Sequence, residues 1–285
     1  MTLPHPFNGR RAAIATMHGK EGAVSPVLSR WLGLHVERAE GVDTDALGTF
    51  TGEIARAGDM VEAARAKALL AIERTGASIG LGSEGAFGPH PVVPFLASGV
   101  EAIVLVDAEN NHEIVAQRRT RTNYGFVTAT PEEDFTPFLG RIGFPAHAVI
   151  VRPEACDDLF VVEKGVTDLR VLRAAVAGMS RRSSSGRALV QTDMRAHLNP
   201  TRMKTIHFVA RALALRAARL CPACGAPGFG LVDVARGLPC AGCGAPTRKL
   251  LAELHGCRVC GHQEAKRQRA PSMRADPMWC DLCNP

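Results

Sequence analysis

The hydrophobic positions of this chain change period repeatedly over its first 200 residues. Short aliphatic runs at 12–16, 78–83, 103–107, 149–152 and 188–192 have the length of strands. Between them lie segments whose apolar positions recur every three or four residues. In the alanine-rich stretch 60–75, Val61, Ala64, Ala68 and Ile72 fall on one helical stripe. Helices are also expected at 24–32 and 167–179, and strands at 112–121 and 160–163. Thr130-Pro131-Glu132-Glu133 reads as a helix start, with threonine as cap and proline at the first position. Glu109-Asn110-Asn111 suits a hairpin turn between the strands at 103–107 and 112–121. Alternating strands and helices predict an α/β domain over residues 1–200, a mixed sheet with flanking helices.

A long helix is expected over 200–220, with Met203, Ile206, Ala210, Leu213, Ala217 and Leu220 on its apolar stripe and Lys204, Arg211, Arg216 and Arg219 off it. This helix, over 201–220, serves as the link to a small module at 221–285. There the periodicity gives way to cysteine. Eight of the nine cysteines form four Cys-x-x-Cys pairs: Cys221/Cys224, Cys240/Cys243, Cys257/Cys260 and Cys280/Cys283. One such pair aims two thiolates at a single centre, and two pairs complete a tetrahedral zinc site. The module is therefore expected to be zinc-ribbon-like, with two structural zinc ions. Pairing of neighbours, first with second and third with fourth, has the commoner spacing; a cross-braced pairing satisfies the same coordination. Cys156 stands apart and reads as an ordinary thiol.

Composition adds little to this picture, but charge changes it. With 46% hydrophobic and 22% charged residues, the chain has the make-up of a globular protein. Its aliphatic runs are far short of the ~20 residues of a membrane span, and the first residues lack a signal-peptide pattern, so a cytoplasmic, non-membrane protein is expected. The formal charge of +6 suggests nucleic acid. Two zinc ions would add four positive charges while eight thiolates add eight negative ones, leaving about +2. A basic face is then confined to stretches such as Lys266, Arg267 and Arg269, and nucleic acid is not the favoured partner.

Four segments of the first domain carry candidate chemistry. Thr16-Met17-His18-Gly19-Lys20 follows the opening strand, where a hydroxyl, a glycine and a lysine suit a phosphate loop; the alternative is a tight turn. Residues 49–53 lead into the helix bearing Glu62 and Lys67, which a five-residue separation sets about 140° apart around the axis. Residues 80–91, Gly-Leu-Gly-Ser-Glu-Gly-Ala-Phe-Gly-Pro-His-Pro, demand a sharp turn or a close approach. They offer Glu84 at a strand end as a metal ligand or activator of water, and His90 between two prolines. Finally, Arg195 and Arg202 flank Asn199-Pro200, the start of the long helix, where free amides favour an anion; the alternative pairs an arginine with Asp193.

Two resemblances rest on these residues. Segments 16–20, 83–91 and 193–203 and the cysteine tail 221–283 resemble a bacterial family classed as a domain of unknown function. The first 90 residues are similar to inosine and xanthosine triphosphate pyrophosphatases and their Maf-like relatives. Those proteins have a Thr/Ser-x-Asn-x-x-Lys loop, a Glu-Asn-Ala-x-x-Lys-Ala helix and an acidic turn beside glycine. Here Thr16 and Lys20, Glu62 to Ala68, and Ser83-Glu84-Gly85 take those places, with His18 and Ala63 standing where the family has asparagine. That similarity implies Glu62 and Glu84 holding Mg2+, and Lys20 and Arg202 binding phosphates. The functional expectation is a metal-dependent hydrolase of nucleoside triphosphates or related phosphorylated small molecules. The alternative is a non-enzymatic protein that binds nucleic acid or protein through its zinc ribbons.

Overall fold

The computed structural model describes residues 5–44, 58–158, 160–267 and 274–285. Two of the segments named above, 49–53 and the loop containing Arg269, lie outside them. The chain divides into two compact units, residues 7–214 and residues 215–285 with His5 and Pro6.

The larger unit opens with β1 (Arg11–Ile14), α1 (Glu21–Leu32), β2 (His35–Arg38), α2 (Met60–Thr75) and β3 (Ile79–Pro89). β4 (Ala97–Asp107) and β5 (His112–Arg121) complete a five-stranded sheet of order β2-β1-β3-β4-β5. The first three strands are parallel, and β3, β4 and β5 run antiparallel. The β4–β5 hairpin turns through Asn111, at φ 46°. β1 lies between β2 and β3, so the chain leaves it through α1 to one side and returns through α2 to the other. Ligands of α/β sheets bind beyond the carboxyl ends of strands at such a switch point. Here β3 outlasts β1: Ile14 pairs with Leu81, and β3 continues for eight more residues.

That extension corrects the expected strand 78–83. The glycines do not end β3; they let other groups approach it. A Cβ on Gly82 would lie 1.8 Å from the Ala64 carbonyl oxygen of α2, so α2 packs directly on the strand backbone. Buried Ala63, Ala64, Lys67, Ala68 and Ala71 form the inward stripe of α2.

A second sheet, antiparallel throughout, has the order β6-β9-β7-β8. It comprises β6 (Phe126–Ala129), β7 (Val149–Pro153), β8 (Glu163–Val166) and β9 (Ala188–Thr192). Phe138, Leu139 and Ile142 of α3 (Thr136–Ile142) and Leu172, Val176 and Met179 of α4 (Leu169–Arg182) bury one face of it with Val149, Val151 and Val190. The expected helix start at Thr130 is instead a turn, closed by the Glu133 carboxylate on the Thr130 amide at 2.8 Å. Helix α5 (Pro200–Ala217) follows, beginning in the larger unit and ending in the smaller.

The smaller unit is an antiparallel sheet, β10 (Gly230–Arg236), β11 (Leu250–Gly256) and β12 (Gln263–Arg267), with the Cys-x-x-Cys turns around it. No helix among the described residues is long and apolar enough to cross a membrane.

Candidate functional site

Five charged side chains are buried where β3 outruns β1: Lys20, Lys67, Glu84, Glu101 and Arg202, each at most 8% exposed. Each comes from a different segment. Lys20 closes the loop after β1 and donates to the Ser83 carbonyl at 3.0 Å. Lys67, on the inner face of α2, donates to Glu84 Oε2 at 2.5 Å. On the opposite face of β3, Arg202 donates through Nε to Glu101 Oε1 at 2.5 Å, and through Nη1 to the Met194 carbonyl. Gly85 leaves room for this pair: a Cβ there would lie 2.4 Å from Glu101 Oε1 and 2.7 Å from Arg202 Nη2. Phe87 covers the guanidinium, its centroid 5.0 Å from Cζ.

Burial, and next the charge of Arg202, push the Lys20 ammonium down to about 7, although Glu101 and Glu84 act the other way. The hydroxyl of Ser83, 1% exposed, has no hydrogen-bond partner among the described residues. Beside the cluster, the rings of His18 and His197 stack with centroids 5.0 Å apart. Desolvation and then the His18 and Arg195 charges lower the His197 pKa.

Several expected site residues have other positions. Glu62 is exposed and closes a capping box at the start of α2: its Oε2 accepts the Asp59 amide at 2.8 Å while Asp59 accepts the Glu62 amide. The helix turns it to solvent, in accord with its angular offset from Lys67, and it does not join Glu84. His90 shapes the β3–β4 connection, its Nδ1 accepting the Val92 and Val93 amides at 3.2 Å. Thr16 Oγ1 accepts the His18 amide at 3.2 Å and holds the loop. Arg195 forks onto fully buried Asp193, Nη2 to Oδ2 at 2.7 Å, which is the structural alternative. The first amides of α5 are also taken, Arg202 N by Asn199 Oδ1 and Thr201 N by His147 Nε2.

Lys67 and Glu101 were not among the expected site residues. The signal for Glu101 is a lone carboxylate in the aliphatic run 100–106, where an unpaired charge would be costly. Its partner, 101 residues away, has no local signature.

In the smaller unit the cysteines converge in two groups, Cys221, Cys224, Cys257 and Cys260, and Cys240, Cys243, Cys280 and Cys283. The pairing is cross-braced, first turn with third and second with fourth, in place of the commoner neighbour pairing. β10 and β11 explain this: their antiparallel pairing sets Gly230 opposite Gly256, which brings the turns preceding β10 and following β11 to one end. Sγ–Sγ separations across the groups are 3.7, 3.7, 3.9 and 3.6 Å. A tetrahedron with Zn–S bonds of about 2.3 Å has edges of about 3.8 Å, whereas a disulfide would need about 2 Å. Both groups therefore fit zinc. The turns repeat one geometry, with Gly225, Gly244 and Gly261 at φ 74–76° donating to the carbonyl of the first cysteine. The Cys243 amide, with that of Gly242 against the effect of burial, draws the Cys240 thiol down to about 7.

Residues 67–285 match a family model described as Domain of unknown function (DUF6671). The chain belongs to the DUF6671 family. The DUF6671 match contains Lys67, Glu84, Glu101, Arg202 and all eight clustered cysteines, while Lys20 precedes it. No curated protein and no solved structure shows a significant match to this DUF6671 chain.

Proposed function

We propose that the larger unit binds a phosphorylated small molecule at the end of β3 and hydrolyses it, nucleoside triphosphates being the first class to test. The observation that carries this reading is the set of three buried cations, Lys20, Lys67 and Arg202, at the switch point of the sheet. Burying an ion costs several kcal/mol even when it is paired, and apolar side chains of similar size often serve stability as well or better. One of the three cations, Lys20, is displaced from its ordinary protonation range by burial, and such a group inside a buried ionic cluster supports the reading of a working site. With Lys20 protonated, three cations stand against the two carboxylates Glu84 and Glu101, and a phosphate complements the positive charge that it restores to Lys20.

Magnesium does not enter the reading. Glu84 and Glu101 are held by Lys67 and Arg202, Glu62 lies elsewhere, and the only groups of three or more ligating side chains among the described residues are the cysteine clusters. The chemistry is written for the chain's own residues. A phosphate entering the cluster takes the Lys67 ammonium and releases the Glu84 carboxylate. Lys20 meets further charge on this phosphate, and Arg202, on the other face of β3, meets a neighbouring phosphate of the same ligand. Glu84 then accepts a proton from a water molecule as that water bonds to phosphorus. The bond to the leaving oxygen breaks, and its electron pair departs with the leaving group.

The experiment is a panel of nucleoside triphosphates incubated with the purified chain, with and without magnesium, and assayed for released phosphate and pyrophosphate. The expected outcome is turnover that Glu84→Gln lowers roughly 100-fold or more. Absence of turnover throughout, or equal turnover by Glu84→Gln, refutes the hydrolase.

A further inference from the structure

We infer that the cleft between the β3–β4 turn and the β5–β6 connection is a second subsite, which takes a planar heteroaromatic ring such as a nucleobase. This rests on the phosphate reading above and adds a recognition element that the ionic cluster lacks. The cleft has a volume of about 680 Å3, within the range of small-molecule sites. Phe95, Tyr124 and Phe126 line it together with Arg121 and Arg141, and no aspartate or glutamate is present in its lining.

The aromatic side chains here are unusual in their exposure. Phe95 is 87% exposed and Phe126 is 59% exposed, although rings of this size are among the most rewarding to bury. Tyr124 is the only tyrosine of the chain. Behind them the wall is fixed: Asn123 donates through Nδ2 to the Ile142 carbonyl at 3.0 Å, and the Arg141 guanidinium lies 5.5 Å from the Phe138 centroid. Exposed rings offer stacking surface to any base, and flanking arginines add cation–π contact and donors for an acceptor-rich edge. The absence of carboxylates keeps the cleft suited to an anionic ligand.

The cleft and the ionic cluster share a strand. Gly85 faces Arg202, and Gly88 lines the cleft, three residues further along β3; that is roughly 10 Å at strand rise. Phe87, stacked on Arg202, lies between them. Nothing stands within 4 Å of a Cβ built on Gly88, which leaves the strand open at this point. A ligand with phosphates at Arg202 and a ring about 10 Å away, the reach of a sugar plus part of a phosphate chain, matches that spacing.

The test is equilibrium dialysis of the full chain with two probes, inorganic triphosphate and guanosine triphosphate. Stacking on exposed rings predicts that the nucleotide binds roughly tenfold or more tightly than triphosphate. Phe95→Ala/Phe126→Ala, which alters exposed side chains, is expected to reduce nucleotide affinity to the triphosphate level and to leave triphosphate binding unchanged. Equal affinity of the two probes for the wild-type chain, or a double variant that keeps the wild-type preference, overturns the ring subsite. Failure of both probes to bind overturns the phosphate reading as well. Nucleotide binding that depends on the phenylalanines without any triphosphate binding would overturn the phosphate reading alone.

Discussion

The two units of this chain gather charge in opposite ways. The smaller brings eight thiols into two groups with Sγ atoms 3.6–3.9 Å apart across each. Once ionised, these repel one another and require a cation to hold them. The larger buries ammonium and guanidinium groups against carboxylates, and its cluster is largely neutralised from within. The first arrangement needs a metal to hold it together, whereas the second is held by its own ion pairs. The same physics therefore yields a metal-dependent cluster in one unit and, on the reading proposed above, a phosphate site in the other.

The sharpest way to break that contrast is to remove the metal. Structural zinc supplies about 10–16 kcal/mol of folding free energy in small domains. A strong chelator is expected to abolish amide protection in β10, β11 and β12 while leaving β3, β4 and β5 protected, as read by hydrogen exchange. Metal analysis of the untreated chain should give two zinc ions, and a protected smaller unit without metal would contradict the assignment. Next in size is the ion pair of the larger unit. Glu101→Ala strands the Arg202 charge in the interior and is expected to lower stability by about 3–5 kcal/mol in urea unfolding. A loss below about 1 kcal/mol, the range of a surface pair, would mean that the pair is open to solvent.

How far each region is legible in the sequence follows from the same difference. The cysteine ligands can be read directly, because a Cys-x-x-Cys turn is complete within four residues. Their partners cannot, because the cross-brace is set by the register of β10 against β11. The α/β alternation gives the first sheet, but Glu101 and Arg202 lie 101 positions apart and meet only through the tertiary fold. The glycine-rich segment is ambiguous in the sequence for a related reason: glycine permits both a bend and a close approach, and only the packing of α2 against Gly82 selects the second. Glu62 misled through a local motif whose local role, the capping box, is the one it fills.

A comparable effect, spread over several pH units, concerns Lys20. An unfolded lysine holds its proton to about 10.4, but folded Lys20 only to about 7. Between those values the unfolded chain binds more protons, so stability rises with pH across this window, by up to about 1.4 kcal/mol per unit. Below pH 7 this contribution is flat. Lys20→Met is expected to remove the rise, which thermal unfolding across pH 6–10 measures; an unchanged profile would locate the titration elsewhere. Smallest is Glu62→Ala, which loses only its half of a capping box and is expected to cost about 1 kcal/mol. Phosphate binding should be unaffected, and weakened binding in dialysis would return Glu62 to the site.

The most direct test of the ionic cluster as a phosphate site is the proton count on binding. At pH 8.5 a phosphate monoester such as adenosine monophosphate is fully ionised, and Lys20 is mostly neutral. Calorimetric titration at low salt in two buffers of different ionisation heat should show nearly one proton taken up per ligand bound, as the phosphate restores the Lys20 charge. Lys20→Met should show none. Binding with no proton uptake in the wild-type chain, or no binding at all, would contradict the assignment of this cluster to phosphate.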